Sequence, residues 1–183
     1  MAVQNPDVQV KDAKKPSPSK SAPRTINGIA YDSAKGLRFK RYFTESGVHP
    51  FDAVEWEKRS SVITEPDGTV VFEMKDLEIP KSWSQLATDI AASKYFRKAG
   101  VPGTGHETSA KQLVYRVAHT IRAEGENLGY FDSKNDAEIF EMELTHLLIN
   151  QMGAFNSPVW FNCGLAQEYG IKGSGGNYYW NSK

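Results

Sequence analysis

Residues 110–153, AKQLVYRVAHTIRAEGENLGYFDSKNDAEIFEMELTHLLINQMG, carry two successive runs of apolar side chains at helical spacing. Apolar residues three and four positions apart line the face of a helix that packs against a core. The first run predicts a helix that ends at Gly125 and Gly129, and the second predicts a helix that begins after Asp132 or Ser133 and stops at Gly153. The predicted core-facing positions are Ala110, Leu113, Val114, Val117, Ala118 and Ile121 in the first run, and Ala137, Phe140, Leu144, Leu147, Leu148 and Gln151 in the second.

A further helix is predicted upstream of these two. Ser82 stands three residues before Gln85, which is the spacing of a capping box, and Gly100 and Pro102 mark the end of the helix. Its apolar stripe consists of Trp83, Leu86, Ala87, Ile90 and Ala91. Three amphipathic helices joined by short, glycine-marked links are typical of a small bundle.

A β-hairpin is predicted before the helices. Two runs rich in β-branched residues flank Pro66-Asp67-Gly68, where proline and glycine favour a turn. From Gly36 onward, Leu37 and Phe39 alternate with basic residues, which predicts a half-buried strand. The expected fold is therefore an α+β fragment, with a small N-terminal β-hairpin layer followed by a three-helix region.

Composition limits the function classes. Lys plus Arg and Asp plus Glu are balanced at 22 each, so no overall field attracts nucleic acid or an anionic membrane. No apolar run approaches the roughly 20 residues of a transmembrane helix, and the N-terminus lacks the apolar core of a signal peptide. The single cysteine cannot close a disulfide within the chain. These features predict a cytoplasmic protein that binds neither membrane nor nucleic acid directly.

Residues 1–25 differ in composition from the rest, because Lys, Pro, Ser and Ala dominate and aromatic residues are absent. This composition predicts a disordered tail. Its excess of basic residues could contact nucleic acid or phospholipid, although short basic tails are usually only solvated. The predicted divisions of the chain are the tail over 1–25, a β-hairpin and helical domain over 26–153, and a separate segment over 154–183.

The segment AFNSPVWFNCG, residues 154–164, follows the predicted helix stop. Ser157 precedes Pro158, which favours an extended backbone, and the residues up to Asn162 alternate in direction as in a strand. A strand over 158–162 is therefore predicted. Cys163, flanked by apolar residues and with no neighbouring base in the sequence, is interpreted as a small buried hydrophobe.

Other polar residues do not form a recognisable catalytic or metal motif. The four histidines lack the HExxH or Cys/His spacing of a zinc site, so no metal is expected, and the two on helices, His119 and His146, are expected to pack or face solvent. Glu138, Glu141 and Glu143 are interpreted as a solvated helix face. GIKGSGG, residues 170–176, lacks the features of a phosphate-binding loop and is interpreted as a mobile loop.

Four blocks of the sequence, taken together and in order, identify a protein family more specifically than any single short motif does. They are GLRFKRYFTESGVHPFDAVEWEKRSSVI (36–63), IPKSWSQLATDIAASKYFR (79–97), ELTHLLINQMGAFNSPVWFNCG (143–164) and YGIKGSGGNYYW (169–180). In this order they resemble the N-terminal part of the large, cobalamin-dependent class II ribonucleotide reductases, over a length that runs from about Ile29 to the last residue.

The resemblance implies that residues 154–183 begin a ten-stranded α/β barrel, with 158–162 as its first strand and the rest of the barrel outside this chain. It implies that Ser157 contacts the ribonucleotide; the alternative is a serine that only caps or turns the chain. Asn156 and Asn162 are possible supporting residues. The redox cysteine pair and the radical cysteine would lie beyond Lys183, so no catalytic residue is expected in this chain and Cys163 is expected to be non-catalytic.

The implied function is the N-terminal portion of a ribonucleoside-diphosphate reductase, which makes deoxyribonucleotides for DNA synthesis and repair; the isolated chain would be inactive. The resemblance implies adenosylcobalamin as cofactor and ribonucleoside diphosphates as substrates. It also implies deoxynucleotide and ATP effectors, a thioredoxin-like reductant and the remaining reductase polypeptide as partners. The alternative is a non-catalytic helical interaction or regulatory module derived from the reductase.

Overall fold

The computed structural model describes residues 24–26, 29–31 and 36–172, and the chain divides into two compact units, residues 1–35 and 36–183. In the first unit, strands β1 (Arg24–Ile26) and β2 (Ile29–Tyr31) form an antiparallel two-stranded sheet. All but the last two residues of the predicted disordered tail lie outside the described residues.

The second unit begins its regular structure with the predicted hairpin, which is confirmed. Strands β3 (Trp56–Thr64) and β4 (Val70–Pro80) are antiparallel, with Thr64 opposite Val70 next to the turn. In the turn, Gly68 has a φ of 87°, a conformation that glycine adopts without strain. The other end of the hairpin is anchored in the core by Leu77 and Ile79, which are fully buried.

The three predicted helices are present, with shifted ends. They are α1 (Gln85–Ile90), which continues as a π-helical turn (Ala91–Tyr95), α2 (Ala110–Asn127) and α3 (Lys134–Ile149). The predicted cap Ser82 is wrong, because Ser84 Oγ accepts the capping hydrogen bond from the Ala87 amide. The predicted stops at Gly125 and Gly153 are also wrong. Gly125 lies inside α2, and Gln151, with a φ of 56°, is the left-handed residue after α3.

The core lies where the base of the hairpin meets α1, α2 and α3. Trp83 joins these elements, because its ring is buried and its Nε1 donates to the Ile149 carbonyl at 2.8 Å. The other large buried apolar side chains of this cluster are Leu77, Ile79, Phe96, Leu113, Val114, Val117, Leu148, Ile149 and Trp160.

The segment from Gly36 to Thr44 is not the predicted half-buried strand. Leu37 forms an isolated bridge with Phe131, and further along, side-chain carboxylates of α3 accept the backbone amides. Asp136 accepts from the Phe39 amide at 2.8 Å, and Glu143 accepts from the amides of Tyr42, Phe43 and Thr44 at 3.0–3.1 Å. Because a helix satisfies these amides, the segment needs no neighbouring strand.

The interpretation of the acidic run on α3 as a solvated face is wrong for two of its three residues. Glu143 binds the segment just described. Glu141 is buried and contacts His119 Nδ1 at 2.9 Å and Arg122 Nε at 2.8 Å. Glu138 is exposed, as predicted.

We expect Glu143→Gln to weaken the attachment of residues 42–44 and to lower the free energy of unfolding by about 1–3 kcal/mol at pH 7, since hydrogen bonds to a charged acceptor are lost. Burial alone would raise the pKa of Glu143, but the hydrogen bonds from Thr44 and the backbone outweigh burial and lower that pKa. The carboxylate therefore stabilises the fold above the unfolded pKa, and this contribution disappears as the pH falls through the lower folded pKa.

Urea unfolding at pH 7 and pH 3 measures this effect. The difference between the wild-type chain and Glu143→Gln should shrink at the lower pH, while the exposed control Glu138→Gln should match the wild type at both. A difference between wild type and Glu143→Gln that does not change with pH would contradict the prediction.

Candidate functional site

The segment predicted to be a strand over 158–162 is instead a short helix, α4 (Ser157–Asn162), followed by α5 (Leu165–Tyr169). The extended residue is Asn156, with a ψ of 163°, and its carbonyl accepts from the Val159 amide at 3.1 Å. Pro158 stands in the first turn, where its missing N–H would have no partner within the helix. The alternating pattern therefore belongs to a helix with one buried side chain, Trp160.

Ser157, the predicted substrate-binding residue, is half-buried at the start of α4. Its Oγ lies 3.3 Å from the Tyr95 Oη, and either hydroxyl can donate. Tyr95 is the last residue of the π-helical turn, a distortion that is frequent at functional sites. The structure therefore brings together two hydroxyl groups that are 62 residues apart in the sequence.

Tyr95 also lines an open cavity of about 250 Å³ between α1, α2 and the residues before α4. The walls are mainly apolar and include Trp83, Ile90, Val114 and Trp160. Tyr95 was not predicted from the sequence, because no residue type in the run from Ala91 to Tyr95 marks a π-helical turn. A polar pair beside an apolar cavity is a common arrangement in ligand sites.

Asn156 and Asn162 do not converge on Ser157. Asn156 directly precedes α4 and Asn162 is its last residue, so the helical rise places them about 9 Å apart along the axis. Asn162 donates its side-chain amide to the Pro158 carbonyl at 3.1 Å, and Asn156 makes no side-chain capping hydrogen bond. A supporting role for either residue stays a prediction.

Cys163 follows α4 and is half-buried. Burial raises the pKa of its thiol, and the nearby Arg116 guanidinium lowers the pKa by less. A thiol with a raised pKa is protonated at neutral pH and is a weak nucleophile. This environment suits the predicted non-catalytic role of Cys163, which rests on the resemblance.

A buried polar network contacts the C-terminal end of α4 and was not predicted from the sequence. Arg116 donates from Nε to Glu107 Oε1 at 2.8 Å, and the two side chains are 1% and 0% exposed. Tyr169 donates to the same carboxylate oxygen at 2.8 Å, and both burial and the Glu107 charge raise the pKa of its phenol, which keeps the donor protonated. One signal was present in the sequence, because Arg116 comes three residues after Leu113, on the apolar side of the helix.

The described residues do not show a metal site. They contain no group of three or more His, Cys, Asp or Glu side chains that could hold a metal ion. Within the same residues, no helix combines the length and the apolar character needed to cross a bilayer.

Comparison with known proteins gives consistent matches. The sequence model of the family described as class II vitamin B12-dependent ribonucleotide reductase matches residues 57–151, and this match ends six residues before Ser157. Curated relatives named vitamin B12-dependent ribonucleotide reductase include those of Streptomyces avermitilis (51% identical over 136 residues) and Rhodopirellula baltica (44% over 147). These alignments cover 73% and 80% of this chain but 14% of each relative. The chain thus spans about 14% of the length of the curated relatives that it matches.

Proposed function

The chain belongs to the class II vitamin B12-dependent ribonucleotide reductase family and corresponds to its N-terminal part, and from this membership we propose that it is the N-terminal portion of a cytoplasmic adenosylcobalamin-dependent ribonucleoside-diphosphate reductase. The family match over residues 57–151 carries this proposal. The whole enzyme reduces ribonucleotides to deoxyribonucleotides for DNA synthesis and repair. Its substrates are ribonucleoside diphosphates, its reductant is a thioredoxin-like protein, and deoxynucleotides and ATP regulate it.

In this proposal the chain contributes to substrate binding and not to the chemical step. Ser157 donates a hydrogen bond to a phosphate or sugar oxygen of the nucleotide. The half-buried position of Ser157 supports this role, and so does the fact that the Tyr95 hydroxyl is the single hydrogen-bond partner of the Ser157 hydroxyl among the described residues. A hydroxyl has one donor and two acceptor positions, so Ser157 can accept from Tyr95 and still donate to the nucleotide.

The described residues do not fit the cobalamin itself. When bound, cobalamin supplies the radical chemistry of the family. Cavities among the described residues, with volumes of about 250–460 Å³, fall below or at the lower end of the range for sites of drug-sized ligands, and a corrinoid with its nucleotide tail is larger. The cofactor site is therefore assigned to the remaining reductase polypeptide, and the isolated chain is expected to be inactive.

We expect Ser157→Ala, in the complete reductase that contains this chain, to lower kcat/KM. The loss should correspond to about 1–3 kcal/mol of transition-state stabilisation, since a hydrogen bond to a charged group has about that value. Cys163→Val should retain activity within about 1.5 kcal/mol, because a packing residue tolerates a change at similar volume. Steady-state reduction of a ribonucleoside diphosphate measures both effects, with folding checked by circular dichroism.

The two variants are controls for each other. A folded Cys163→Val enzyme without turnover, together with normal kinetics for Ser157→Ala, would reverse the assignment and make the cysteine the chemical residue. Turnover by the isolated 183-residue chain would contradict the proposed division of labour.

A further inference from the structure

Arg116 lies where several segments of the structure meet. Its Nε binds the Glu107 carboxylate, and its two terminal nitrogens donate to backbone carbonyls. Nη1 donates to the Cys163 carbonyl at 2.7 Å, and Nη2 donates to the carbonyls of Trp160 at 2.7 Å and Tyr95 at 3.3 Å. A guanidinium presents its donors in a rigid planar fork, so one side chain fixes three backbone positions relative to α2.

Two of these carbonyls lie at the C-terminal end of α4. The last carbonyls of a helix lack partners within the helix, and a positive charge is favoured beside them. A helix of six residues is not stable alone, so α4 depends on such contacts. The close approach needs Gly164, because a Cβ at that position would lie 2.2 Å from the Arg116 carbonyl oxygen.

The third carbonyl belongs to Tyr95, the residue whose hydroxyl meets Ser157. The Tyr95 ring also lies near the rings of Phe161 and Trp160, with centroids 5.6 and 6.3 Å away. Arg116 therefore holds both backbone segments whose side chains meet at Ser157, and it holds them from the buried side.

Glu107 is itself fixed on both oxygens. The Arg97 amide donates to Oε2 at 2.7 Å, and Tyr169 and Arg116 donate to Oε1. The charge of Arg116 is thus paired within the interior, and its position does not depend on solvent.

We propose that Arg116 is a positioning residue for nucleotide binding, which sets the direction of the Ser157 hydroxyl by holding the end of α4 and the carbonyl of Tyr95 together. This inference rests on the proposed function, because it requires Ser157 to bind the nucleotide. Arg116 is too deeply buried to touch the substrate. Lysine cannot replace it, because a single ammonium group cannot span the Glu107 carboxylate and three carbonyls.

The test is a double-mutant cycle in the complete reductase, with kcat and KM measured for a ribonucleoside diphosphate. We expect Arg116→Lys and Ser157→Ala each to lower kcat/KM about 10-fold, mainly by raising KM, and the double variant to lie within about 2-fold of Ser157→Ala alone, because the two residues act as a unit. If Arg116 had a purely structural role, the fold losses in kcat/KM of the two single variants would instead multiply in the double variant.

Arg122→Lys is the matched control. Arg122 lies on the same helix and also binds a buried carboxylate, Glu141, at 2.8 Å, but it makes no hydrogen bond to α4. Its kcat/KM should stay within about 2-fold of the wild type, as for distant independent sites.

The outcomes separate the two proposals. Wild-type kinetics for Ser157→Ala would overturn the substrate role of Ser157 and the positioning role with it. An impaired Ser157→Ala with multiplicative effects in the double variant, or equal losses for Arg116→Lys and Arg122→Lys, would overturn the positioning role alone. If Arg116→Lys does not fold, the isosteric Glu107→Gln takes its place in the cycle, and failure of both to fold would show that the pair serves folding only.

Discussion

Arg116→Ala is expected to lower the free energy of unfolding by about 3–5 kcal/mol, because it leaves the Glu107 carboxylate buried without its charge partner. The carbonyls of Trp160 and Cys163 lose their donor at the same time. Urea unfolding of the chain at pH 7, followed by circular dichroism, measures the loss. Arg122→Ala is the control on the same helix, and it should cost clearly less, because Arg122 is partly exposed and its partner Glu141 keeps its contact with His119.

A double variant separates the two causes of this loss. Glu107→Gln/Arg116→Met removes both charges, so it should recover the part that comes from the unpaired carboxylate. It should not recover the part that comes from the carbonyls of α4, because methionine donates no hydrogen bond. Equal losses for Arg116→Ala and Arg122→Ala would contradict the prediction.

Trp160→Ala is expected to cost about 3–5 kcal/mol of stability, as removal of a buried tryptophan leaves a cavity that the surroundings fill only in part. The neighbouring residue provides the control, because Trp160 is 8% exposed and Phe161 is 38% exposed. Phe161→Ala should therefore cost clearly less. The same urea unfolding experiment compares the two. If Phe161→Ala were the more damaging change, the buried face of α4 would be wrongly assigned.

The elements that local sequence patterns predicted are those whose causes are local. In α2 and α3 the apolar residues recur at helical spacing, and in the hairpin the turn residues Pro66 to Gly68 act on their own backbone. Helix ends were less predictable. Glycine often ends a helix, but Gly125 lies inside α2, where the Phe131 ring packs against it and an added Cβ would lie 2.7 Å from that ring.

Ser157 could be named as a candidate residue from the sequence, but the helical conformation of residues 157–162 could not be predicted. The residue before Pro158 usually favours an extended backbone, and this rule predicted a strand. The deciding partner of α4 is Arg116, which lies 44 residues before Trp160 in the sequence, so no local pattern could include it. The Tyr95 contact to Ser157 was hidden for the same reason. The substrate role of Ser157 came from family resemblance, and it stays a prediction for the kinetic experiments.

The carboxylate of Glu143 also has a consequence for the order of events during protein synthesis. The amides that it accepts belong to residues 99–101 positions earlier in the chain. At a translation rate of about 5–20 residues per second, roughly 5–20 s pass between the synthesis of these amides and that of their acceptor. During this time the hairpin, α1 and α2 can form from their own local contacts, while residues 42–44 remain hydrated. The segment from Gly36 to Thr44 is thus the first part of its unit to be synthesised, but residues 42–44 gain their acceptor only after most of α3 has been made.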